Sequence, residues 1–226
     1  MIRAIFIDID DTLLDFRACS KESMRLALAE FGAEYREELY PIFERINSAL
    51  WARLERHEIT KAELFEVRWT AVFREAGLTL SGKEFEARFL NYLNQSAVPI
   101  EYAKEILDYL AERFPVYAAS NAPHGQQCER LERAKMAPYF RDVFTSERIG
   151  AGKPSAAFFD GCFRELPGLL PENVLFIGDS LSADMKGGHD YGLRTCWLNR
   201  LREPERDGIH PDYTVFSLKE IEGILP

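Results

Sequence analysis

From Pro99 onward, short apolar runs alternate with longer stretches of helical periodicity, and this alternation limits the possible folds more than any other feature. Helical spacing over 101–113, carrying Ile106, Leu107 and Leu110, precedes the run Val116-Tyr117-Ala118-Ala119. A helix through Leu131 precedes Val143-Phe144, and another over 156–165 precedes Val174-Leu175-Phe176-Ile177. The segment after Leu181 ends near Gly192 and leads into Thr195-Cys196-Trp197-Leu198, then Tyr213-Thr214-Val215. Strands that alternate with helices predict a parallel sheet with right-handed crossovers, so the expected core is a Rossmann-like, doubly wound α/β fold.

One more strand lies near the start, where Ala4-Ile5-Phe6-Ile7 runs directly into Asp8, Asp10, Asp11 and Thr12. Four apolar residues bounded by charge read as a strand buried on both faces. This strand is cut off from the later series by a helical block. Ser20 is the expected cap of a helix bearing Met24, Leu28 and Phe31, with Gly32 as its stop. Pro41 suits an early helical position before Ile42, Ile46, Leu50 and Leu54. Thr60-Lys61-Ala62-Glu63 has the capping-box pattern ahead of Phe65, Trp69, Val72 and Ala76. Ser81 and Glu84 repeat that pattern ahead of Phe85, Phe89 and Leu93. The Trp, Phe and Leu stripes of this block predict the core of a small helical bundle. The expected organisation is therefore a core domain from 1–14 and 98–226, interrupted by an α-helical cap domain at 15–97. The stretch 200–211, polar with two prolines, predicts a surface loop.

Composition narrows the classes of function. The hydrophobic fraction of 46% and charged fraction of 29% are ordinary for a soluble globular chain. A formal net charge of −9 argues against a nucleic-acid polymer as partner, because phosphate backbones call for a basic face. It does not argue against a small phosphorylated metabolite, for which a few local cations suffice. Cys19, Cys128, Cys162 and Cys196 are scattered, which predicts reduced thiols rather than a disulfide frame or a zinc site. The amino-terminal apolar run is short and ends in acids, unlike a signal peptide. No run approaches the roughly 18 apolar residues of a membrane span. A cytoplasmic protein with no membrane partner is expected, and a monomer and a homodimer are both compatible with the sequence.

The chemistry gathers at the strand ends, where open parallel sheets bind their ligands. Acids together at such a place repel one another unless a cation or shared protons compensate. Beside Asp8 and Asp10, the run 116–119 leads into Ser120-Asn121, a hydroxyl next to backbone N–H groups able to donate to a phosphate, although Ser-Asn also makes ordinary turns. Gly150-Ala151-Gly152-Lys153-Pro154 places a lysine in a turn before a helix. The run 174–177 leads into Gly178-Asp179-Ser180, with Asp184 one helical turn further. Four carboxylates, a lysine and a hydroxyl gather at one sheet edge, and the possible metal ligands among them are oxygens, with no histidine or cysteine, which suits Mg²⁺.

These four motifs, Asp8-Ile9-Asp10-Asp11-Thr12, Ser120, Lys153 and Gly178-Asp179 with Asp184, occur in the order found in the haloacid dehalogenase (HAD) superfamily, which the sequence resembles. The helical block has the size and position of that family's first-type cap. Asp11 stands where glycine is often found. The resemblance implies that Asp8 is a nucleophile that takes the phosphoryl group as an aspartyl-phosphate. It implies that Asp10 protonates the leaving oxygen and then activates water. It implies that Asp8, Asp179 and the Asp10 carbonyl hold Mg²⁺, with Asp184 acting from nearby. Lys153 would pair with Asp8 and the phosphoryl oxygens, and Ser120 with an N–H of Asn121 would hold the phosphate.

Asp10 favours a phosphatase or phosphomutase over a dehalogenase, which has no need of that acid. A narrower likeness, to the pyrimidine 5′-nucleotidases, rests on Leu13-Leu14-Asp15-Phe16, on Leu50-Trp51, Glu55, Ile59-Thr60, Leu64 and Arg68, and on the run from Gly178 to Gly188. It implies a nucleoside monophosphatase in which Trp51 or a cap phenylalanine stacks on the base, unless Trp51 is simply bundle core. The alternatives are a general phosphatase for sugar phosphates and similar metabolites, a phosphomutase, a dehalogenase, or a regulatory protein that kept the fold without turnover. Of the histidines at 57, 124, 189 and 210, only His124 follows the Ser-Asn tip closely enough to reach a site mouth; the expectation for the four is surface or turn placement.

Overall fold

The computed structural model describes residues 1–204 and 208–225, so residues 205–207 of the expected loop at 200–211 lie outside the described residues. The chain divides into two compact units, Met1–Phe16 with Ala97–Pro226, and Arg17–Ser96.

The first unit is a parallel six-stranded sheet. Its strands are β1 (Ala4–Ile7), β2 (Val116–Ser120), β3 (Phe140–Thr145), β4 (Val174–Gly178), β5 (Arg194–Leu198) and β6 (Tyr213–Val215). They run in the order β3-β2-β1-β4-β5-β6, the order of a doubly wound sheet. Ile5 pairs with Val116 on one side of β1 and with Leu175 on the other. The chain therefore reverses its direction of travel across the sheet at β1, and the crevice beyond the carboxyl end of that strand is the place such sheets offer a ligand.

The unbroken apolar run of β1 is explained by the two layers that it serves. Ile5 and Ile7 pack into one core with Val116, Ala118, Leu175 and Ile177, covered by Ile106, Leu107 and Leu110 of α5 (Ala103–Ala111). Ala4 and Phe6 face the opposite core, with Phe144, Phe176 and the Phe158, Phe159 and Cys162 side chains of α7 (Ala156–Arg164). Every β1 side chain is fully buried. At about 25 cal/mol per Å² of apolar surface removed from water, two such cores are the main favourable term in holding the sheet.

The second unit contains α1 (Phe16–Glu30), α2 (Leu39–Glu55), α3 (Lys61–Ala76) and α4 (Gly82–Asn94), α1 beginning one residue before it. Thr60 caps α3 with a complete capping box, and Gly77 closes it at φ +67°. Ser81 accepts from the Glu84 N–H at the start of α4. Trp69 packs against Phe43, Phe73, Phe85 and Phe89 at centroid distances of 4.4–5.5 Å, the bundle core expected from the stripes. Trp51 is half-buried on α2. Leu50, Leu64 and Arg68, which carried part of the narrower likeness, are buried inside this unit.

One cap differs from expectation. Ser20 is not the start of α1; it is buried within the helix and donates to the Arg17 carbonyl. The helix begins a turn earlier because the Asp11 carboxylate accepts the Phe16 N–H at 3.1 Å, satisfying a donor that the helix start leaves over. Asp11 itself sits at φ +56°, a left-handed conformation that glycine adopts freely and aspartate tolerates.

The connections to the helical unit lie side by side. Leu14 and Pro99 form an antiparallel bridge, flanked by Asp15 N–H to Val98 at 2.8 Å and Ile100 N–H to Leu13 at 2.9 Å. Among the described residues no helix is long and apolar enough to cross a membrane. Cys19, Cys128, Cys162 and Cys196 are all free thiols.

Candidate active site

The site is built at the carboxyl ends of β1, β2 and β4. Asp8 follows β1 directly, and its N–H still donates to Ile177 at 2.9 Å, so the sheet pairing fixes the residue that leaves it. Lys153 lies in the turn before α7 and is almost wholly buried. Its ammonium donates to Asp8 at 2.7 Å, to Asp184 at 2.6 Å and to the Ala119 carbonyl at 2.7 Å. All three of its protons therefore have acceptors. The turn is held by Asn121, whose amide accepts from the Lys153 N–H at 2.8 Å and donates to the Lys153 carbonyl at 2.9 Å. The Asn121 side chain therefore positions the lysine. A Cβ on Gly152 would come within 3.0 Å of that same amide oxygen.

Asp179 follows β4, and the next turn, Leu181–Lys186, winds as a π-helix in which the Met185 N–H reaches back to Ser180. This wide turn carries Asp184 toward the strand end. One Asp184 oxygen accepts from the Ser180 N–H at 3.1 Å, and the carboxylate lies where any side chain on residue 178 would have to be. Gly178 is required by that close approach. Thr12 donates to Asp179 at 3.4 Å, and the Trp197 indole holds the Asp179 carbonyl at 2.8 Å.

Carboxylate oxygens of Asp8, Asp179 and Asp184 lie within 4.8 Å of one another. With all three ionised, these carboxylates against one ammonium would leave an excess of two negative charges in a buried place. Burial pushes Asp8 up to about 7, against the pull of Lys153 and with the push of Asp184 and Asp10. Burial, with Asp8, Asp11 and Asp184 adding to it, raises Asp179 well above the usual carboxylate range. Burial alone would lower the Lys153 ammonium, but Asp184 and Asp8 overcome it and hold it above its ordinary value. A hard divalent cation with oxygen ligands is the group that such a donor set and charge excess fit.

The Asp10 carboxyl takes a different course from these three. It turns toward α6 (His124–Arg133), where Gln127 donates to it at 2.6 Å and Arg130 forms an ion pair with it. Ser120, at the end of β2, accepts from the Ala122 N–H at 3.1 Å and from Gln127 at 2.8 Å. With both acceptor positions of that hydroxyl used, its proton is the part it can offer to an anion.

Sequence reasoning missed Gln127 and Arg130. The signal was present: a helix whose buried face centres on Leu131 carries a glutamine and an arginine where apolar neighbours are expected. His124 is engaged elsewhere, its ring nitrogens lying 3.2 Å from the Thr145 hydroxyl and 3.6 Å from the Cys128 sulfur.

Residues 2–192 match the model of the haloacid dehalogenase-like hydrolases. The pyrimidine 5′-nucleotidase PynA of Streptococcus pneumoniae is 34% identical over 222 residues, covering 98% of this chain and 94% of that one. The pyrimidine 5′-nucleotidase YjjG of Escherichia coli is 28% identical over 221 residues, covering 98% and 96%. A crystal structure of the HAD-hydrolase YfnB of Bacillus subtilis, described as bound to magnesium, superposes with a TM-score of 0.94 at 32% identity, over 99% of this chain and 98% of that one.

Proposed function

The chain belongs to the haloacid dehalogenase-like hydrolases, and on that premise we propose that it is a Mg²⁺-dependent phosphomonoester hydrolase acting through an aspartyl-phosphate, with pyrimidine nucleoside 5′-monophosphates as substrates. The observation that carries the reading is the convergence of Asp8, Lys153, Asp184 and Ser120 on neighbouring strand ends.

Asp8 is the nucleophile: a carboxylate oxygen bonds to phosphorus as the ester oxygen leaves. Asp10 gives its proton to that leaving oxygen, then takes one from the water that splits the aspartyl-phosphate and restores Asp8. Lys153 holds Asp8 in place and faces the charge of the transferring group. The Ser120 hydroxyl and the Asn121 N–H hold phosphoryl oxygens. Electrostatic placement of this kind is most of what phosphoryl transfer asks of a protein. Asp8, Asp179, Asp184 and the Asp10 carbonyl are the groups that would hold Mg²⁺, which supplies positive charge to the phosphoryl oxygens.

The helical unit is the cap domain of this reading and the source of substrate choice. The pyrimidine preference is supported by the named activities of two relatives that align over nearly the whole chain. Trp51, half-buried on α2, or a phenylalanine of the same unit is the aromatic this reading offers to the base.

Phosphate release from a panel of nucleoside monophosphates and sugar phosphates, with Mg²⁺ and with EDTA, tests the proposal. Mg²⁺-dependent preference for dUMP, dTMP or UMP is the expected result. Broad hydrolysis without a preferred base would retain the phosphatase and overturn the nucleotidase.

A further inference from the structure

The Asp10 carboxyl lies in the turn after β1, outside any regular element, so the sheet does not by itself set its direction. Its orientation comes from α6. Gln127 and Arg130 are one helical turn apart, and both are fully buried. One amide proton of Gln127 goes to Asp10 at 2.6 Å and the other to the Ser120 hydroxyl at 2.8 Å. The Gln127 oxygen accepts from Arg130 at 3.3 Å, and Arg130 reaches the other Asp10 oxygen. Asp10, Arg130 and Gln127 thus close a ring of hydrogen bonds, with Ser120 attached through the same amide.

A guanidinium and an amide are expensive to bury, and an apolar residue would fill this helix face at no such penalty. Their polarity is accounted for by what they hold. A carboxylate offers about four lone-pair positions, so two remain beyond those used by Gln127 and Arg130. An acid that must serve first a leaving oxygen and then a water has to keep one orientation through both steps.

We propose that Gln127 and Arg130 are positioning residues that fix the Asp10 carboxyl relative to Ser120, so that the proton donor and the phosphate-holding hydroxyl are set by one amide. The inference rests on the acid–base role given to Asp10 above.

The test measures kcat and KM for Arg130→Met, Arg130→Lys and Gln127→Leu, each alone and with Asp10→Asn, on a nucleoside monophosphate and on p-nitrophenyl phosphate with Mg²⁺. Loss of a supporting partner of a reacting group lowers turnover by about 10- to 100-fold, and that fall in kcat is expected for Arg130→Met and Gln127→Leu on the nucleotide. KM should stay within about 3-fold, the pattern of an interaction used in the transition state. Arg130→Lys should recover part of the loss. First-turnover release of p-nitrophenolate, which leaves without a proton, should be far less affected. In the Asp10→Asn background the same substitutions should add no further loss.

Wild-type rates in Arg130→Met and Gln127→Leu would overturn the inference and leave the phosphatase standing. So would losses that add in full to that of Asp10→Asn, because the two residues would then act through something else. A wild-type protein without phosphatase activity would overturn the proposed function and this inference together. Should Arg130→Met fail to fold, Gln127→Leu gives the same comparison without removing a buried charge.

Discussion

Lys153 has three protons and three acceptors, and two of those acceptors are carboxylates that would otherwise face each other in a buried place. Lys153→Met is expected to lower turnover by about 10²-fold or more, the scale of removing one group aimed at transition-state charge, measured as kcat with saturating Mg²⁺. Asp10→Asn keeps the shape of the residue and should retain Mg²⁺ and phosphate binding in calorimetry while losing roughly 10²-fold or more in turnover. Equal loss of metal binding would assign Asp10 a mainly structural part. His124→Ala is expected to leave kcat and KM unchanged, since the ring is occupied with Thr145 and Cys128. The candidate residues Asp8, Ser120, Lys153 and Asp179 could be picked out in the sequence because each directly follows a recognisable strand or sits in a marked turn. Gln127 and Arg130 stand out locally as polar residues on the buried face of α6, but Asp10 is 117 and 120 positions away, so the sequence does not show what they hold.

In the helical unit, elements are joined by a buried polar contact as well as by aromatic packing. Arg68 on α3 pairs with Glu86 on α4 and donates to Asn47 on α2 at 2.9 Å, all three buried. Burial raises the Glu86 carboxyl against the pull of Arg68. Arg68→Met leaves that carboxyl buried without its cation, a change that destabilises by about 3–5 kcal/mol, whereas replacing both partners with methionine should recover most of the loss. Urea unfolding of the single and double variants checks this; equal loss in both would mean that the pair contributes packing alone. The helix-level pattern was largely readable, as the Thr60 box and the Trp69 stripe demonstrate. It failed where a cap comes from outside the helix's own sequence signal, as with Asp11 for α1. It was also silent on the π-turn at Leu181–Lys186, because no residue type announces one extra residue in a helical turn.

For the whole molecule, the acidic cluster ties stability to pH and, under the proposed function, to Mg²⁺. The folded value of Asp8, about 7, lies above its ordinary 3.8. Its protonated form therefore stabilises the metal-free fold fully below about pH 4, and that contribution is lost as pH rises through 7. A cation that favours the ionised carboxyl acts in the opposite sense, so Mg²⁺ should raise Tm more at pH 8 than at pH 5. A Tm gain independent of pH would remove Asp8 and Asp179 from the set of groups that answer to the metal. The placement of the helical unit between β1 and β2 has a consequence for synthesis. Among the described residues β1 pairs with β2 and β4, so one edge of this wholly apolar strand waits for the chain through Ala118 and the other for the chain through Ile177. The helices between Arg17 and Ser96 have their neighbours close in sequence and can assemble long before that. A chaperone that binds the nascent chain should therefore be found on β1, while the helical segment that follows it is already folded.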